Sequence, residues 1–418
     1  MESPEEAHVR VVLSVLLSGV AVSLAACTAP TVSLSTADQA IIDGENSPSS
    51  EDAVVLLVHV ARQGIGSCTG TLVAPNLVLT ALHCVSETDQ SSACDEAGKP
   101  LAGGDVGRTH TANDMVVFTG STRPEFERGI DPKIAARGLK VLVPDTDTIC
   151  ANDIALIVLD RDVEGAKIAP LRLDADVISG ETVTSIGWGV TDNTDFPNMR
   201  QRRLDVPVVN VGPLRDRRGR SLGPSEFEVG ESICSGDSGG PAIATSTGAV
   251  LGVVSRGGNG TQDPNDPAAG CTGTQAFNIY TGVAGHKDFI LSAFDAAAAT
   301  PWVEGSLNPI LSVFGSACTA AEECQQGVCV QTAGDAPTCN LDCSASACPD
   351  GYECTDVAAS GGAAEEGGKA CTVVPPPVKK TITTTSCDAT PVTPASSSLA
   401  ALGFAVAALA LTRRSARR

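Results

Sequence analysis

Ser238 stands in the run Cys234-Ser235-Gly236-Asp237-Ser238-Gly239-Gly240-Pro241, whose small residues let the backbone turn sharply and aim N–H groups at a reacting carbonyl. A serine hydroxyl is a weak nucleophile at neutral pH and needs a base within hydrogen-bond reach. Imidazole is the side chain poised near pH 7. Of the five histidines, His83 sits in the run Leu79-Thr80-Ala81-Leu82-His83-Cys84. His8 belongs to the leading segment, His59 and His286 stand in no motif, and His110 falls in a polar stretch. The imidazole in turn needs an anion to fix its tautomer and stabilise the imidazolium, a task open to Asp153 in Asn152-Asp153-Ile154-Ala155-Leu156. A second acid, Asp237, directly precedes the serine. Singly these residues are ordinary, since Gly/Ser/Asp clusters are common loop material and a lone Asp or His is more often structural. Their weight lies in occurring together, in the order His, Asp, Ser.

That set in that order resembles the chymotrypsin/trypsin family of serine endopeptidases. The resemblance implies peptide-bond hydrolysis by His83, Asp153 and Ser238, with the backbone N–H groups of Gly236 and Ser238 as oxyanion donors. It implies disulfides Cys68–Cys84 and Cys234–Cys271, leaving Cys94 and Cys150 as a third pair. Ile41-Ile42-Asp43-Gly44 resembles the N terminus that these enzymes expose on activation. Cleavage after Ala40 would then free an Ile41 ammonium to insert beside Asp237, a carboxylate too costly to bury unpaired. Aligned through Cys234, Ser232 falls at the base of the primary specificity pocket, with Gly257 and Asn278 on its walls. A neutral base implies poor cleavage after Lys or Arg and a preference for uncharged side chains of modest size. Arg256 stands where the substrate-pairing strand commonly bears an aromatic residue. The chain departs from the family at Leu82, where Ala is usual, and at Glu228, where another bridge often has its Cys. No metal or organic cofactor is implied. The expected partners are a protein or peptide substrate and an activating protease. The rival expectation is a catalytically silent relative acting in adhesion.

The elements that must position these groups read as all-β. Runs at 54–60, 70–73, 77–80, 154–159 and 249–254 have strand length, and most are bounded by turn residues. Residues 287–299 read as the one convincing helix. The resemblance adds the architecture: two six-stranded antiparallel β-barrels with the catalytic groups between them. A stretch between Arg200 and Arg220 holds seven arginines and reads as a solvated surface loop rather than an anion site.

Organisation around this region follows from composition. The net charge of −21 argues against binding nucleic acid or an anionic membrane surface, both of which want a basic footprint. Sixteen cysteines point to an oxidising compartment. Residues 1–27 read as a signal peptide whose apolar run ends in Leu24-Ala25-Ala26-Cys27, which resembles a bacterial lipoprotein cleavage box; lipidation and simple secretion both stand open. Residues 28–40 follow as a propeptide, 41–299 as the protease-like region and 300–316 as a linker. Eight cysteines within 317–374 form a module that must rely on disulfides; its spacings resemble small EGF- or dickkopf-type extracellular modules, and without a nearby His it reads poorly as a metal site. Residues 375–398 read as a Pro/Ser/Thr stalk. Residues 399–418 are an apolar stretch ending in arginines, either a cleaved sorting signal or a short anchor, giving membrane contact through the C-terminal tail.

Overall fold

A computed structural model describes residues 41–373, apart from 43, 62–63, 90–91, 126–132, 191–197, 218, 262, 264, 267, 274, 332–335, 345–346, 350–351 and 358–367. The expected signal peptide, propeptide, stalk and C-terminal tail, with Cys27 and Cys387, lie outside the described residues.

Two antiparallel barrels carry the protease-like region. The first closes through β1 (Val54–Ala61), β2 (Gly64–Ala74), β3 (Leu77–Thr80), β4 (Met115–Phe118), β5 (Ala136–Leu142) and β6 (Ala155–Leu159), in the order β5-β6-β3-β2-β1-β4. The second uses β7 (Thr182–Gly187), β8 (Gln201–Val211), β9 (Glu226–Val229), β10 (Pro241–Ala244), β11 (Val250–Gly258) and β12 (Phe277–Gly282). Its order is β8-β7-β10-β11-β12-β9, and pairing of β8 with β9 closes the ring. The short strand Glu45–Asn46 adds to the outer edge of β8.

Strand β1 explains why an all-apolar run can be a barrel strand. Side chains alternate across a strand, and here both faces are covered. Val55 and Leu57 point into the first barrel with Leu72, Val78 and Ile157. Leu56 and Val58 point outward against Val116, Phe118 and Trp188, the last of which arrives from the second barrel. Strand β6 is built likewise: Ala155, Ile157 and Leu159 face the barrel interior, while Leu156 and Val158 meet the C-terminal helix.

That helix, α2 (Lys287–Ala297), follows the short α1 (Leu82–Val85) as the second α-helix among the described residues. Its apolar stripe of Ile290, Ala293, Phe294 and Ala297 is buried against the outer face of β6, each large side chain contributing about 1.5–3 kcal/mol. The helix stops two residues short of the sequence expectation because Ala298 turns left-handed at φ 52°, and the N–H of Ala299 returns to the carbonyl of Phe294. Asn76 donates to the last carbonyl, Ala297 O. The chain then runs along the segment that joins the two barrels, since Leu171 exchanges backbone hydrogen bonds with Trp302 and Glu304, and Arg172 pairs with Glu304.

The arginine-rich stretch is not a solvated loop over its first half. Residues 201–211 are the eleven-residue strand β8, and Arg200 just before it is fully buried. The charges hid a strand because Arg202 reaches Glu45 and Glu51 on the neighbouring segment, so a charged face is paired rather than exposed to water.

The eight cysteines beyond the barrels form four bridges, Cys318–Cys329, Cys324–Cys339, Cys343–Cys354 and Cys348–Cys371. Each half of the cluster has the same crossed pattern, first with third and second with fourth. Two small hairpins, Cys329–Val330 with Thr338–Cys339 and Tyr352–Val357 with Gly368–Val373, hang on these bridges. With all eight sulfurs paired, no thiolate of this set is left to ligate a metal.

Candidate active site

Asp153 is placed by a turn that closes just before β6. The N–H of Asn152 bonds the carbonyl of Ile149 and that of Ile154 bonds Asn152 O, which leaves the Asp153 side chain inside the molecule with no exposed surface. His83 opens from the single-turn helix α1 that follows β3, and β3 pairs with β6, so adjacent strand ends bring the two groups together. One carboxylate oxygen, Oδ2, lies 2.8 Å from His83 Nδ1, while Oδ1 accepts the backbone N–H of His83 at 3.0 Å. Ser255 Oγ donates to Oδ2 at 2.7 Å. Burial alone would pull the His83 pKa down, yet the charge and hydrogen bond of Asp153 carry it above its ordinary value. Burial pushes Asp153 the other way, and His83 with the donors from Ser255 and the backbone holds it below its ordinary value.

Ser238 lines the same cleft as His83, a groove of about 690 Å³ that also touches Gly236, Cys234, Ser255 and Gly257. Thr69 on β2 braces the loop that carries Ser238 from the other barrel. Its N–H donates to Ser238 O at 2.8 Å, its hydroxyl donates to Gly236 O at 3.0 Å, and the same hydroxyl accepts the Trp188 N–H at 3.1 Å. Gly236 has φ 99° and Gly239 φ 76°, where a side chain would be strained; a Cβ on Gly239 would also lie 2.1 Å from Thr80 Oγ1.

Beneath Ser238, Asp237 is wholly buried. Its carboxylate accepts the N–H of Gly189 at 2.8 Å and of Cys234 at 2.9 Å. The Gly187-Trp188-Gly189 segment wraps it so closely that a Cβ on Gly187 would fall 2.0 Å from Oδ1, and one on Gly189 2.6 Å from Cγ. Burial pushes the Asp237 pKa up to about 7. Ile41 is buried with φ 57°, and Ile42 packs with Val190 and Cys234, the latter being a donor to Asp237.

A profile of the family described as Trypsin matches residues 41–280. The chain belongs to the trypsin family. It is 36% identical over 269 residues to snake venom serine protease 2C of Craspedocephalus gramineus, covering 59% of this chain and 85% of that one. It is 30% identical over 259 residues to snake venom serine protease KN11 of Trimeresurus stejnegeri, at 59% and 85%. A bacterial relative, trypsin of Saccharopolyspora erythraea, is 24% identical over 265 residues, covering 62% of this chain and all of that one.

In this trypsin-family chain the residues expected at the primary pocket cluster, though at different depths. Gly257 lines the cleft. Ser232 and Asn278 sit behind it, buried, both bonded to the Gly230 carbonyl at 3.2 and 3.0 Å. Strand register sets Asn278 opposite both Gly257 and Val229, which fixes the grouping. Two further residues join this buried polar cluster without any sequence signal: Ser185 Oγ donates to Ser232 Oγ at 3.2 Å and shares a 3.0 Å bond with Tyr280 Oη. Asn278 Oδ1 has no partner among the described residues. The neighbouring Glu231 is not part of this cluster and accepts the N–H of Gly273.

Arg256, expected at the aromatic position of the family's substrate-pairing strand, makes a bidentate ion pair with the buried Glu226 at 2.6 and 2.9 Å. Glu226 also accepts the N–H groups of Ala151 and Gly223 at 2.9 and 2.7 Å. The charge at this wall is therefore internally balanced. The three expected bridges, Cys68–Cys84, Cys94–Cys150 and Cys234–Cys271, are all formed. Cys68 and Cys84 approach His83, but sulfurs bonded to each other offer no thiolate to a metal. At Glu228, the absent bridge is replaced by polar contacts to Asn210 and Arg220 at 2.6 and 3.0 Å.

Proposed function

We propose that the chain is an exported serine endopeptidase made as an inactive precursor. Ser238 Oγ attacks the peptide carbonyl while His83 Nε2 takes its proton. Charge gathers on the carbonyl oxygen, facing the N–H groups of Gly236 and Ser238, each such donor lowering the barrier by on the order of 3 kcal/mol. His83 returns the proton to the leaving amine as the C–N bond breaks. Water then attacks the acyl-enzyme by the same proton route, releasing the acid and restoring Ser238. The observation that carries this reading is the Asp153–His83 pair opening onto the cleft that Ser238 lines. A fluorophosphonate probe tests it: the wild-type chain takes up the label and Ser238→Ala does not. An unlabelled wild type, even after activation, favours the silent adhesive relative instead.

Activation by cleavage after Ala40 extends this reading, because an ammonium freed at Ile41 would answer the buried charge of Asp237. N-terminal sequencing of active protein is expected to read Ile-Ile-Asp-Gly; full activity with the Ala40–Ile41 bond intact would overturn it. Behind the cleft, at the expected base of the primary pocket, the buried cluster of Ser232, Ser185 and Tyr280 supplies hydroxyls and no carboxylate to balance a cation. A fluorogenic peptide library is expected to show at least tenfold lower kcat/KM after Lys or Arg than after small uncharged residues. Dominant Arg/Lys cleavage would discard this.

The Cys-rich module serves in this reading as a spacer that holds the protease off the envelope, with retention through the C-terminal tail. No helix among the described residues is long and apolar enough to cross a membrane.

A further inference from the structure

Arg123 lies outside the three catalytic motifs and the pocket, on the segment that leaves β4. Its guanidinium stands 5.6 Å from the centre of the Trp188 ring and donates to the Trp188 carbonyl. That carbonyl belongs to the peptide unit whose N–H, on Gly189, donates to Asp237 Oδ1 at 2.8 Å. A cation, a single peptide unit and a buried carboxylate are thus strung in line. A guanidinium on the oxygen end of a peptide draws electrons toward it and strengthens the N–H as a donor at the other end. Asp237 directly precedes Ser238 and directly follows Gly236, so whatever holds its carboxylate holds both oxyanion donors.

We propose that Arg123 is a positioning residue for the oxyanion loop, acting on Asp237 through the Trp188–Gly189 peptide. The inference deepens the proposed function and rests on it. In the uncut chain the Ile41 nitrogen is an uncharged amide, and among the described residues Arg123 is the cation whose charge acts on Asp237. Among the described residues, the other titratable group coupled to Asp237, Tyr280, stays neutral because burial drives its phenol far up. Arg123 therefore holds part of the ordering that cleavage would complete, and the precursor keeps a measurable reactivity at Ser238.

The test uses the full uncut chain, with the Ala40–Ile41 bond verified, in a Trp302→Phe background so that fluorescence reports Trp188. Ionisation of Asp237 is expected as a fluorescence transition near pH 7, which Asp237→Asn removes. Arg123→Gln keeps an N–H donor for the Trp188 carbonyl but removes the charge. It is expected to move the midpoint up by about one pH unit and to slow fluorophosphonate labelling at pH 7 at least about threefold. Arg123→Lys is expected to restore both. An unchanged midpoint in Arg123→Gln overturns the proposal. So does a folded Arg123→Lys that shifts by a unit or more, which would trace the effect to geometry rather than charge; this arm decides alone if Arg123→Gln does not fold. A wild type that titrates as expected but never takes the label, cut or uncut, would refute the endopeptidase reading and leave the fluorescence result to judge Arg123.

Discussion

Asp153→Asn is expected to lower kcat by about 10⁴ with KM nearly unchanged. The carboxylate accepts three donors, the His83 backbone N–H, the His83 ring and Ser255 Oγ. An asparagine amide keeps the shape but offers an NH₂ group, so the ring meets a donor at Nδ1 and places its proton on Nε2. That tautomer cannot take the proton of Ser238, and the imidazolium loses its counter-charge in a buried site. The pH profile gives a second reading. His83 is held above its ordinary value of 6.5, and only the neutral ring is a base. Wild-type kcat/KM should therefore climb with pH through a midpoint above 6.5 and fall away below it. In Asp153→Asn the charge and hydrogen bond that raise the ring's pKa are gone while burial, which lowers it, remains, so the residual activity should show its acid limb at lower pH. Rates measured from pH 5 to 9 check both parts. An Asn variant with wild-type kcat, or a limb that stays in place, would remove Asp153 from the mechanism.

How much of this site could be read from sequence depended on how far apart its parts lie along the chain. His83, Asp153 and Ser238 were legible because each sits in a short motif whose neighbours have local jobs: turning the backbone, starting a strand, freeing an N–H. Thr69, Ser185 and Tyr280 were not, because a Thr on a strand or a Ser in a barrel looks the same whatever faces it. Thr69 reaches Trp188 across 119 residues, and Ser185 reaches Tyr280 across 95. The glycines at 187 and 189 had a faint signal in flanking a tryptophan, but only the fold shows that Asp237 fills the space their side chains would need. The pairing of the eight C-terminal cysteines had no local signal at all, since eight cysteines allow about 105 connectivities.

The fold was legible wherever apolar runs had strand length, as at β1 and β6, and failed where charge broke the run. Strand β8 begins Gln-Arg-Arg-Leu-Asp, a string that pattern alone assigns to water. It is a strand because both flanks supply partners, with Glu45–Asn46 on one side and β7 on the other. Charge density is a poor guide to exposure when opposite charges sit on neighbouring segments, and Arg200, paired with Asp52, is the extreme case.

Arg200→Met is expected to cost about 3 kcal/mol of stability or more, lowering the melting temperature of the protease-like region by roughly 10 °C. The wild-type guanidinium is fully buried and makes its four shortest hydrogen bonds to four different groups, with a longer fifth to Gly120 O at 3.4 Å. Nε goes to Ser47 Oγ at 2.8 Å, Nη1 to Val54 O at 2.7 Å, and Nη2 to Pro48 O and Asp52 Oδ1 at 2.9 Å each. It thereby ties the segment after Ile41, the start of β1 in the first barrel and the start of β8 in the second to one planar group. Methionine fills much of the volume but leaves those carbonyls and the Asp52 charge unanswered, and a buried acceptor left unmade costs more than a hydrogen bond gains. Arg200→Lys should recover only part of the loss, because one ammonium on a flexible stem cannot reach four acceptors in the fork geometry. Arg202→Met is the matched control: its pairs with Glu45 and Glu51 lie nearer the surface, so its loss should stay within about 1 kcal/mol. Thermal melts of the three variants decide it. An Arg200→Met protein that melts within about 3 °C of wild type would mean that the two barrels and the segment after Ile41 are held together by apolar packing, with the buried arginine adding little.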